Sequence, residues 1–435
     1  MTPLEVGGYS LVLMVVLIVA GLDIAITLLL LSSIGVWLIR GSLDVTLSLF
    51  AQAASDTISS QEFAVVPMFI LMGLLVSTAD LGKDLFAVAH RLCGRLRGGL
   101  GVATVFANAV FAAITGISIA SASVFTKVAV PEMLAYGYSP RFATGVVAGS
   151  SVLGMLIPPS LLMILYAFLA QQSVGAMFLA GIGPGLVLTA VYSIGIVAMA
   201  RFTPHRVMRV DSPPPPPPAQ GITGLLRTAP IGILIVVVLG GIYGGVFTAT
   251  DAGAVGAVGA LIIALARGKL SASSGWQVAK EAGSITVAVL FLIIAANLYS
   301  RMLALSGLPQ VLIESIAAAG LGATGFILVY IAVVVALGCI IDSASIMLLV
   351  LPLVLPVVAA LQIDPVWFGV VTVIAVEIGL LTPPFGLSVL TIKSALGNEG
   401  IGVADIFIGS LPFVLMMILV LALLVLFPGI ALMFT

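Results

Sequence analysis

Long apolar segments separated by short polar turns follow one another along almost the whole chain. Uninterrupted apolar stretches occupy residues 63–80, 177–200, 228–247, 251–266, 283–303 and 406–434. Each is close to the ~20 residues that a helix needs to cross the hydrocarbon layer of a bilayer. Because backbone polar groups inside a bilayer must be satisfied within the protein, these stretches are expected to be α-helical. The pattern predicts an all-α, polytopic integral membrane protein.

Other apolar segments are interrupted near their centres by glycine, proline or hydroxyl residues. Segments 98–136 and 322–361 are broken at Thr115-Gly116 and at 338–345, and we interpret them as re-entrant helical hairpins. A single long helix that crosses once is the alternative for 98–136. Segments 142–168 and 365–396 carry a Pro-Pro pair, and residues 9–39 are interrupted at 21–23; each of the three predicts two shorter helices.

Three stretches of mixed polarity predict helices or segments that lie on the membrane surface, 41–62, 83–99 and 271–282, and a fourth, 306–319, predicts a short exposed amphipathic arm. In 83–99, an apolar stripe at helical spacing opposes a basic face. The basic face indicates that this segment is cytoplasmic. The apolar stripe consists of Leu85, Val88, Leu92 and Leu96. The basic face consists of Lys83, Arg91 and Arg95.

The two halves of the chain repeat one spacing of residues. A shift of 225 positions, without a gap, places Ser118 on Ser343, and Pro158-Pro159 on Pro383-Pro384. The same shift superposes Pro131 on Pro356, Pro140 on Pro365 and Gly154 on Gly379. Counting crossings from the basic loops makes the first hairpin open to the cytoplasm and the second to the outside. We therefore predict two inverted repeats, 1–200 and 228–435, joined by a cytoplasmic Pro-rich linker at 201–227, an organisation typical of secondary transporters.

The composition excludes several other classes of protein. Only 8% of the residues are charged and the net charge is −1, which excludes a soluble domain and argues against a nucleic-acid partner. No HExxH, P-loop or GxSxG motif is present, so we do not expect an enzyme. A channel would show rings of like charge or a repeated filter instead of two occluding hairpins.

The chemistry is expected at the broken stretches, where unwound turns free carbonyl groups and add hydroxyl groups. Sodium is a hard cation that prefers such oxygen ligands, and half-helix N-termini attract carboxylates. We predict one sodium ion at the first hairpin tip and a second at the other tip. The first set of ligands is Thr115, Gly116, Ser118, Gly154 and Pro158; the second is Gly338, Asp342, Ser343, Gly379, Thr382 and Pro383. For any single serine, a hydrogen bond to its own backbone is the alternative.

Three acids and a glycine pattern complete the set of candidates. Asp23 should face protein or water, or else lie at a helix end. Asp342 is a candidate sodium ligand or proton carrier, whereas Glu377 is interpreted as a structural cap or an acid at a cavity edge. Glycines four residues apart, such as Gly240 and Gly244, predict close helix packing.

At these residues the chain resembles the large membrane subunit of tripartite ATP-independent periplasmic (TRAP) transporters, the DctM-type family. The most specific stretches are GYSPRFATGVVAGSSVLGMLIPPS at 137–160, GGVFTATDAGAVGA at 244–257 and DPVWFGVVTVIAVEIGLLTPPFGLS at 364–388. The hairpin tip departs from the family's usual TGSSVA, because Ile117 replaces a hydroxyl residue. That departure gives backbone carbonyls a larger part in binding a cation there.

The resemblance implies an elevator-type sodium symporter in the bacterial inner membrane. It implies a separate small membrane subunit of about four helices, and a periplasmic binding protein that delivers a small organic acid. Its substrate site would include Ser118, Ser150, Ser151, Pro159, Ser343, Thr382 and Pro384. The alternative is a stand-alone sodium/anion symporter of the same superfamily that works without a binding protein.

Overall fold

The computed structural model describes residues 1–94, 96–208, 223–397 and 400–435, and within these ranges the chain is built from α-helices. The side chains of 61–62 and 223–227 lie outside the description. Most of the predicted Pro-rich linker, 209–222, also lies outside the described residues. The described residues contain five helices long and apolar enough to cross a membrane, or seven if each of two bent helix pairs is one span.

The first half of the chain contains twelve helices and a short 3-10 turn. They are α1 (Pro3–Val19), α2 (Ile24–Arg40), α3 (Leu43–Ser59), the turn Gln61–Ala64, α4 (Val65–Thr78), α5 (Leu81–Cys93), α6 (Gly99–Thr115), α7 (Ser118–Ala135), α8 (Pro140–Ser151), α9 (Leu153–Leu156), α10 (Leu161–Ala170), α11 (Val174–Phe202) and α12 (Pro204–Val207).

The second half, as far as it is described, contains ten helices. They are α13 (Thr223–Tyr243), α14 (Ala249–Ala266), α15 (Ala272–Ser306), α16 (Leu308–Ala318), α17 (Ala323–Gly338), α18 (Ser343–Ala360), α19 (Pro365–Leu380), α20 (Leu387–Leu396), α21 (Val403–Leu426) and α22 (Gly429–Leu432).

The predicted helix breaks occur where glycine and proline place them. α6 ends at Thr115, and Gly116 adopts φ +63°, a conformation that glycine favours. The Pro-Pro pairs separate α9 from α10 and α19 from α20. The helices flanking each predicted hairpin tip, α6 with α7 and α17 with α18, contact each other. The inverted relationship between the halves stays a prediction.

Asp23 is the N-cap of α2. Its Oδ1 accepts hydrogen bonds from the backbone amides of Ala25, at 2.9 Å, and Ile26, at 3.2 Å. The residue is exposed. A capping carboxylate satisfies free amides and interacts favourably with the positive end of the helix dipole. The helix-end alternative for this acid is therefore the one that the structure supports.

Predicted segments 271–282 and 283–303 form one helix, so the predicted division between them is wrong. α15 runs without interruption over 35 residues, Ala272–Ser306. The change from polar to apolar residues near 283 alters the surroundings of the helix, not its backbone. Gly283 is the only breaker candidate at the junction, and an isolated glycine is tolerated inside a helix.

Two finer predictions about helix faces have different outcomes. The apolar stripe of 83–99 stays a prediction: Leu92 is 73% exposed and Leu96 beyond the end of α5 is exposed too, as a stripe facing lipid would be, while the side of α5 that packs inside the protein consists of Leu81, Leu85, Phe86, Ala89 and Cys93. Gly240 and Gly244 contact no neighbouring helix among the described residues, because atoms of α13 itself are nearest to them.

The glycines that bring helices together here lie in α14. A Cβ built on Gly253 would lie 3.0 Å from the Cβ of Met68, and one on Gly256 would lie 2.4 Å from the sulfur of Met72. Both methionines belong to α4. Small residues therefore allow α14 and α4 to pack closely, as is common in membrane proteins.

Candidate functional site

The first hairpin tip lies against the break between α9 and α10. A Cβ built on Gly116 would lie 2.5 Å from the carbonyl oxygen of Pro159. The Gly116 carbonyl accepts a 3.1 Å hydrogen bond from the amide of Leu161. A Cβ on Gly154 would lie 3.1 Å from the backbone of Ile117 and Ser118. Gly116, Ser118, Gly154 and the Pro-Pro pair are thus brought together, as the sequence predicts.

This first tip is closed. Thr115, Ser118, Pro158 and Pro159 are all buried. The small cavity between Gly116, Pro159 and α4 has a volume of about 10 Å³. Such a space is at the lower limit for one water molecule, so the tip in this conformation excludes a carboxylate solute.

The serines that precede this break have hydrogen-bond partners. Ser150 Oγ accepts a 2.6 Å bond from the Nδ2 atom of Asn108 on α6. Ser151 Oγ donates to the Ala148 carbonyl at 2.8 Å, and Thr115 Oγ1 donates to the Phe111 carbonyl at 3.0 Å. Ser151 and Thr115 therefore adopt the back-bonded alternative, and any role as ligands rests on their remaining lone pairs.

The second hairpin tip lies against the break between α19 and α20. A Cβ built on Gly338 would lie 2.7 Å from the Cα of Gly379, so the two backbones touch. The Phe385 amide donates to the Cys339 carbonyl at 3.2 Å. This bond ties the tip to the segment after the Pro-Pro pair, much as the Leu161–Gly116 bond does in the first half.

The second tip is more open than the first. Pro383, Pro384 and Phe385 are exposed, and Phe385 is 54% accessible. Thr382 is half-buried, and its Oγ1 donates to the Ile378 carbonyl at 2.7 Å. The two tips, which have similar backbones, therefore differ in access in this conformation.

Asp342 is the N-cap of α18 at this second tip. Its Oδ1 accepts from the Ser345 amide at 3.1 Å, and its Oδ2 accepts a short bond from the Ser345 hydroxyl. Ser343, the next residue, is 9% exposed. Asp342 thus satisfies free amide and hydroxyl donors at the start of α18, and its carboxylate is the one charged oxygen ligand in the predicted second set.

Sequence reasoning missed a set of buried side-chain oxygens near the breaks. Within the described ranges these atoms have no hydrogen-bond partner, although buried polar groups nearly always have one. The sequence indicated Ser118 by its hydroxyl group and Glu377 as an acid near a break, but nothing in it showed that their oxygens lack partners. The atoms are Asn108 Oδ1, Ser118 Oγ, Ser121 Oγ, Tyr192 Oη, Ser388 Oγ and both carboxylate oxygens of Glu377.

A polar cavity of about 500 Å³ lies between the ends of α3, α10 and α15. Arg301 lines it and is ion-paired with Asp56 at 2.6 Å, while the Nδ2 atom of Asn297 donates to Thr57 Oγ1 at 3.1 Å. Gln171 and Gln172 also line it. The cavity offers a guanidinium and several amide groups, which are donors suited to a carboxylate.

The comparisons with known proteins decide the family. Residues 11–430 match the family described as tripartite ATP-independent periplasmic transporter, DctM component. The chain belongs to this family of TRAP transporter large permeases. It is accordingly a transporter subunit and not an enzyme. The family implies a small membrane subunit and a periplasmic binding protein as partners.

Two relatives and one solved structure illustrate the likeness. The C4-dicarboxylate TRAP transporter large permease protein DctM of Pseudomonas aeruginosa is 32% identical, over 87% of each chain. The ectoine TRAP transporter large permease protein TeaC of Halomonas elongata is 31% identical, over 96% of each chain. The crystal structure of the Alcanivorax borkumensis YdaH transporter shares the fold, with a TM-score of 0.59 and 16% identity over 89% of each chain. The TRAP permease family thus includes members named for different solutes.

Proposed function

We propose that this permease carries out sodium-coupled uptake of a small carboxylate-containing solute across the bacterial inner membrane. A periplasmic binding protein delivers the solute, and a small membrane subunit of about four helices accompanies the permease. The observation that supports sodium coupling is the first hairpin tip, where Ser118 presents a buried hydroxyl oxygen without a partner among the described residues. That oxygen is next to the tip backbone, whose carbonyls are the oxygen ligands that a hard cation prefers.

The substrate carboxylate is proposed to bind between the tips once sodium has organised them. Membership in the family supports a solute of this kind only broadly, because its relatives include transporters named for C4-dicarboxylates and for ectoine. The Arg301 cavity supports an anionic solute, because it offers a cation and amide donors. It lies near the end of α15 that leads to the second hairpin, which is predicted to open to the outside. Selection among organic acids is assigned chiefly to the binding protein.

Transport is proposed to follow an elevator mechanism. The hairpins and broken helices would move as one body against the remaining helices. The packing adds α21 to this moving body, because α8 and α21 cross closely. A Cβ on Gly145 would lie 2.0 Å from the carbonyl oxygen of Gly409, and Arg141 Nε binds Asp405 Oδ1 at 2.8 Å. α4 packs against both α14 and α15 as a second group.

Uptake into liposomes tests the proposal. The chain is reconstituted with its small subunit, and solute entry is measured with and without the binding protein under an imposed sodium gradient. Entry that needs both the gradient and the binding protein supports the proposed function. Entry without the binding protein supports the stand-alone symporter instead, and entry that potassium drives equally well contradicts sodium coupling.

Mutation of the two tip serines tests the predicted sodium sites. Ser118→Ala combined with Ser343→Ala removes one hydroxyl from each tip without adding bulk. We expect the sodium concentration that gives half-maximal uptake to rise, since each site loses an oxygen ligand. An unchanged sodium dependence in the double variant would show that the site assignment is wrong.

A further inference from the structure

Glu377 is a carboxyl group sealed inside the protein at the meeting point of the two halves. Its side chain is 0% exposed, and neither oxygen has a hydrogen-bond partner in the part of the chain that the structure describes. The residue is neither a helix cap nor at an open cavity edge, which corrects the interpretation from sequence. It lies in the last turn of α19, where the helix dipole disfavours negative charge.

Two further oxygens lie in the same part of the fold. The Ser118 hydroxyl is at the start of α7, and α7 and α19 both contact α9; Ser118 interacts with the Glu377 carboxyl group, but no hydrogen bond of normal geometry joins them. The Tyr192 side chain is on α11, which packs directly against α19. Ser118 and Tyr192 are 1% and 0% exposed, and their hydroxyl oxygens also lack partners within the described ranges.

An ionised Glu377 in this arrangement is costly unless a cation binds beside it. A buried carboxylate without a counter-charge costs several kcal/mol, and each unpaired hydroxyl adds to the cost. Among the described residues no three His, Cys, Asp or Glu side chains converge, so the oxygens do not form a site for a highly charged metal. One carboxylate with hydroxyl and carbonyl oxygens instead matches a monovalent hard cation.

We propose that Glu377 is a ligand of the sodium ion at the first hairpin tip, so that this site is built from both halves of the chain. The inference rests on the proposed sodium coupling and deepens it. The first half supplies Ser118 and the backbone of the tip, and the second half supplies the carboxylate from α19. Sodium binding would then neutralise the buried charge and fasten α7 to α19.

The repeat makes the two sodium sites unequal. The position equivalent to Glu377 after the shift of 225 is Val152, just before α9, which has no oxygen in its side chain. The second predicted site therefore receives no matching carboxylate from the first half, and its predicted charged ligand is Asp342 of its own hairpin tip. Asp342 falls on Ile117 after the same shift, so the first site would take its charge from the opposite half and the second from its own half.

The test measures sodium binding apart from transport. The permease is purified with its small subunit, and its melting temperature is followed during titration with sodium chloride, with potassium chloride at equal ionic strength as the reference. We expect Glu377→Gln to raise the sodium concentration for half-maximal stabilisation by about tenfold or more, since the site loses its charged ligand. We expect Glu377→Asp, which keeps the charge on a shorter side chain, to fall between wild type and Glu377→Gln.

Controls separate this inference from a structural role and from the proposed function. Glu281→Gln removes an exposed carboxylate from α15 and should leave the titration unchanged. A Glu377→Gln protein that melts at a different temperature but keeps the wild-type sodium midpoint overturns the inference. If that protein does not fold, an unchanged midpoint in Glu377→Asp overturns it equally. A wild-type protein that sodium does not stabilise contradicts the proposed function itself.

Discussion

The carbonyl oxygen of Gly116 accepts a hydrogen bond from the backbone amide of Leu161 across 3.1 Å. This single bond joins the first hairpin tip to the start of α10, and it forms only because Gly116 has no side chain. A Cβ there would meet the Pro159 carbonyl at 2.5 Å, and the residue's φ of +63° already disfavours other amino acids. The tip and the broken helix therefore act as one packed unit.

We expect Gly116→Ala to lower the melting temperature and abolish uptake, because both the clash and the backbone conformation oppose alanine. A cost of about 1–3 kcal/mol is typical for a strained backbone position, and the contact with Pro159 adds to it. Gly283→Ala is the matched control, since a Cβ there meets nothing within 4 Å inside α15. Alanine at 283 should stabilise the helix slightly; equal behaviour of the two variants would contradict the tip packing.

Asp23 offers a test that separates a cap from an ion carrier. Asparagine caps helices about as well as aspartate, whereas alanine costs ~1 kcal/mol. We therefore expect Asp23→Asn to transport like wild type and Asp23→Ala to melt at a lower temperature. Uptake and melting measured on both variants check this. Loss of transport in Asp23→Asn, with stability retained, would show that the charge has a functional role.

Arg301 and Asp56 form an ion pair that the cavity exposes to incoming solute. If the cation attracts a carboxylate, Arg301→Gln should raise the solute concentration for half-maximal uptake severalfold. Asp56→Asn breaks the same pair but leaves the cation, so it should preserve or lower that concentration. Uptake rates measured against solute concentration distinguish the cases. Equal impairment by both variants would indicate that the pair only fastens α3 to α15.

Asp80 links the turn before α5 to the loop after α14. The Lys269 ammonium donates to its carboxylate at 2.9 Å, and this bond holds the pKa of Asp80 below its ordinary value. A lowered pKa contributes stability above the unfolded pKa, and that contribution is lost as pH falls below about 4. Asp80→Asn should tolerate the residue's φ of +58°.

The contribution of the Asp80–Lys269 pair should be small, because the pair is solvent-exposed. We therefore expect the Asp80→Asn protein to melt slightly below wild type at pH 7, and the difference to be smaller at pH 3. Melting temperatures at the two pH values check the expectation. A difference that grows on acidification would contradict the assigned ion pair.

Features decided by local chemistry could be predicted from the sequence. Gly116 and the two Pro-Pro pairs disrupt a helix whatever surrounds them, so the breaks were located correctly. The continuity of α15 could not be predicted, because a change in polarity at Gly283 does not by itself reveal a bend. The cap formed by Asp23 was open between two interpretations, since depth in the membrane is a tertiary property.

The same distinction between features set by local sequence and features set by tertiary structure applies to the candidate site. The residues of each tip are close in sequence to a break, and the pattern of hydroxyl groups indicated them. Glu377 could be recognised as an acid near a break, but not as a sealed one. Its surroundings depend on α7 and α11, which are distant in sequence, and only the folded arrangement places Ser118 and Tyr192 around it.

The uninterrupted α15 has a consequence for the lipids around the protein. Its 35 residues extend over about 52 Å, well beyond the ~30 Å of the hydrocarbon layer. A helix of this length adjusts to thinner bilayers by tilting. Because Arg301 near one end of α15 is ion-paired with Asp56 of α3, any tilt displaces α3 as well. The length of the lipid acyl chains should thus affect the rate of transport through the tilt of α15.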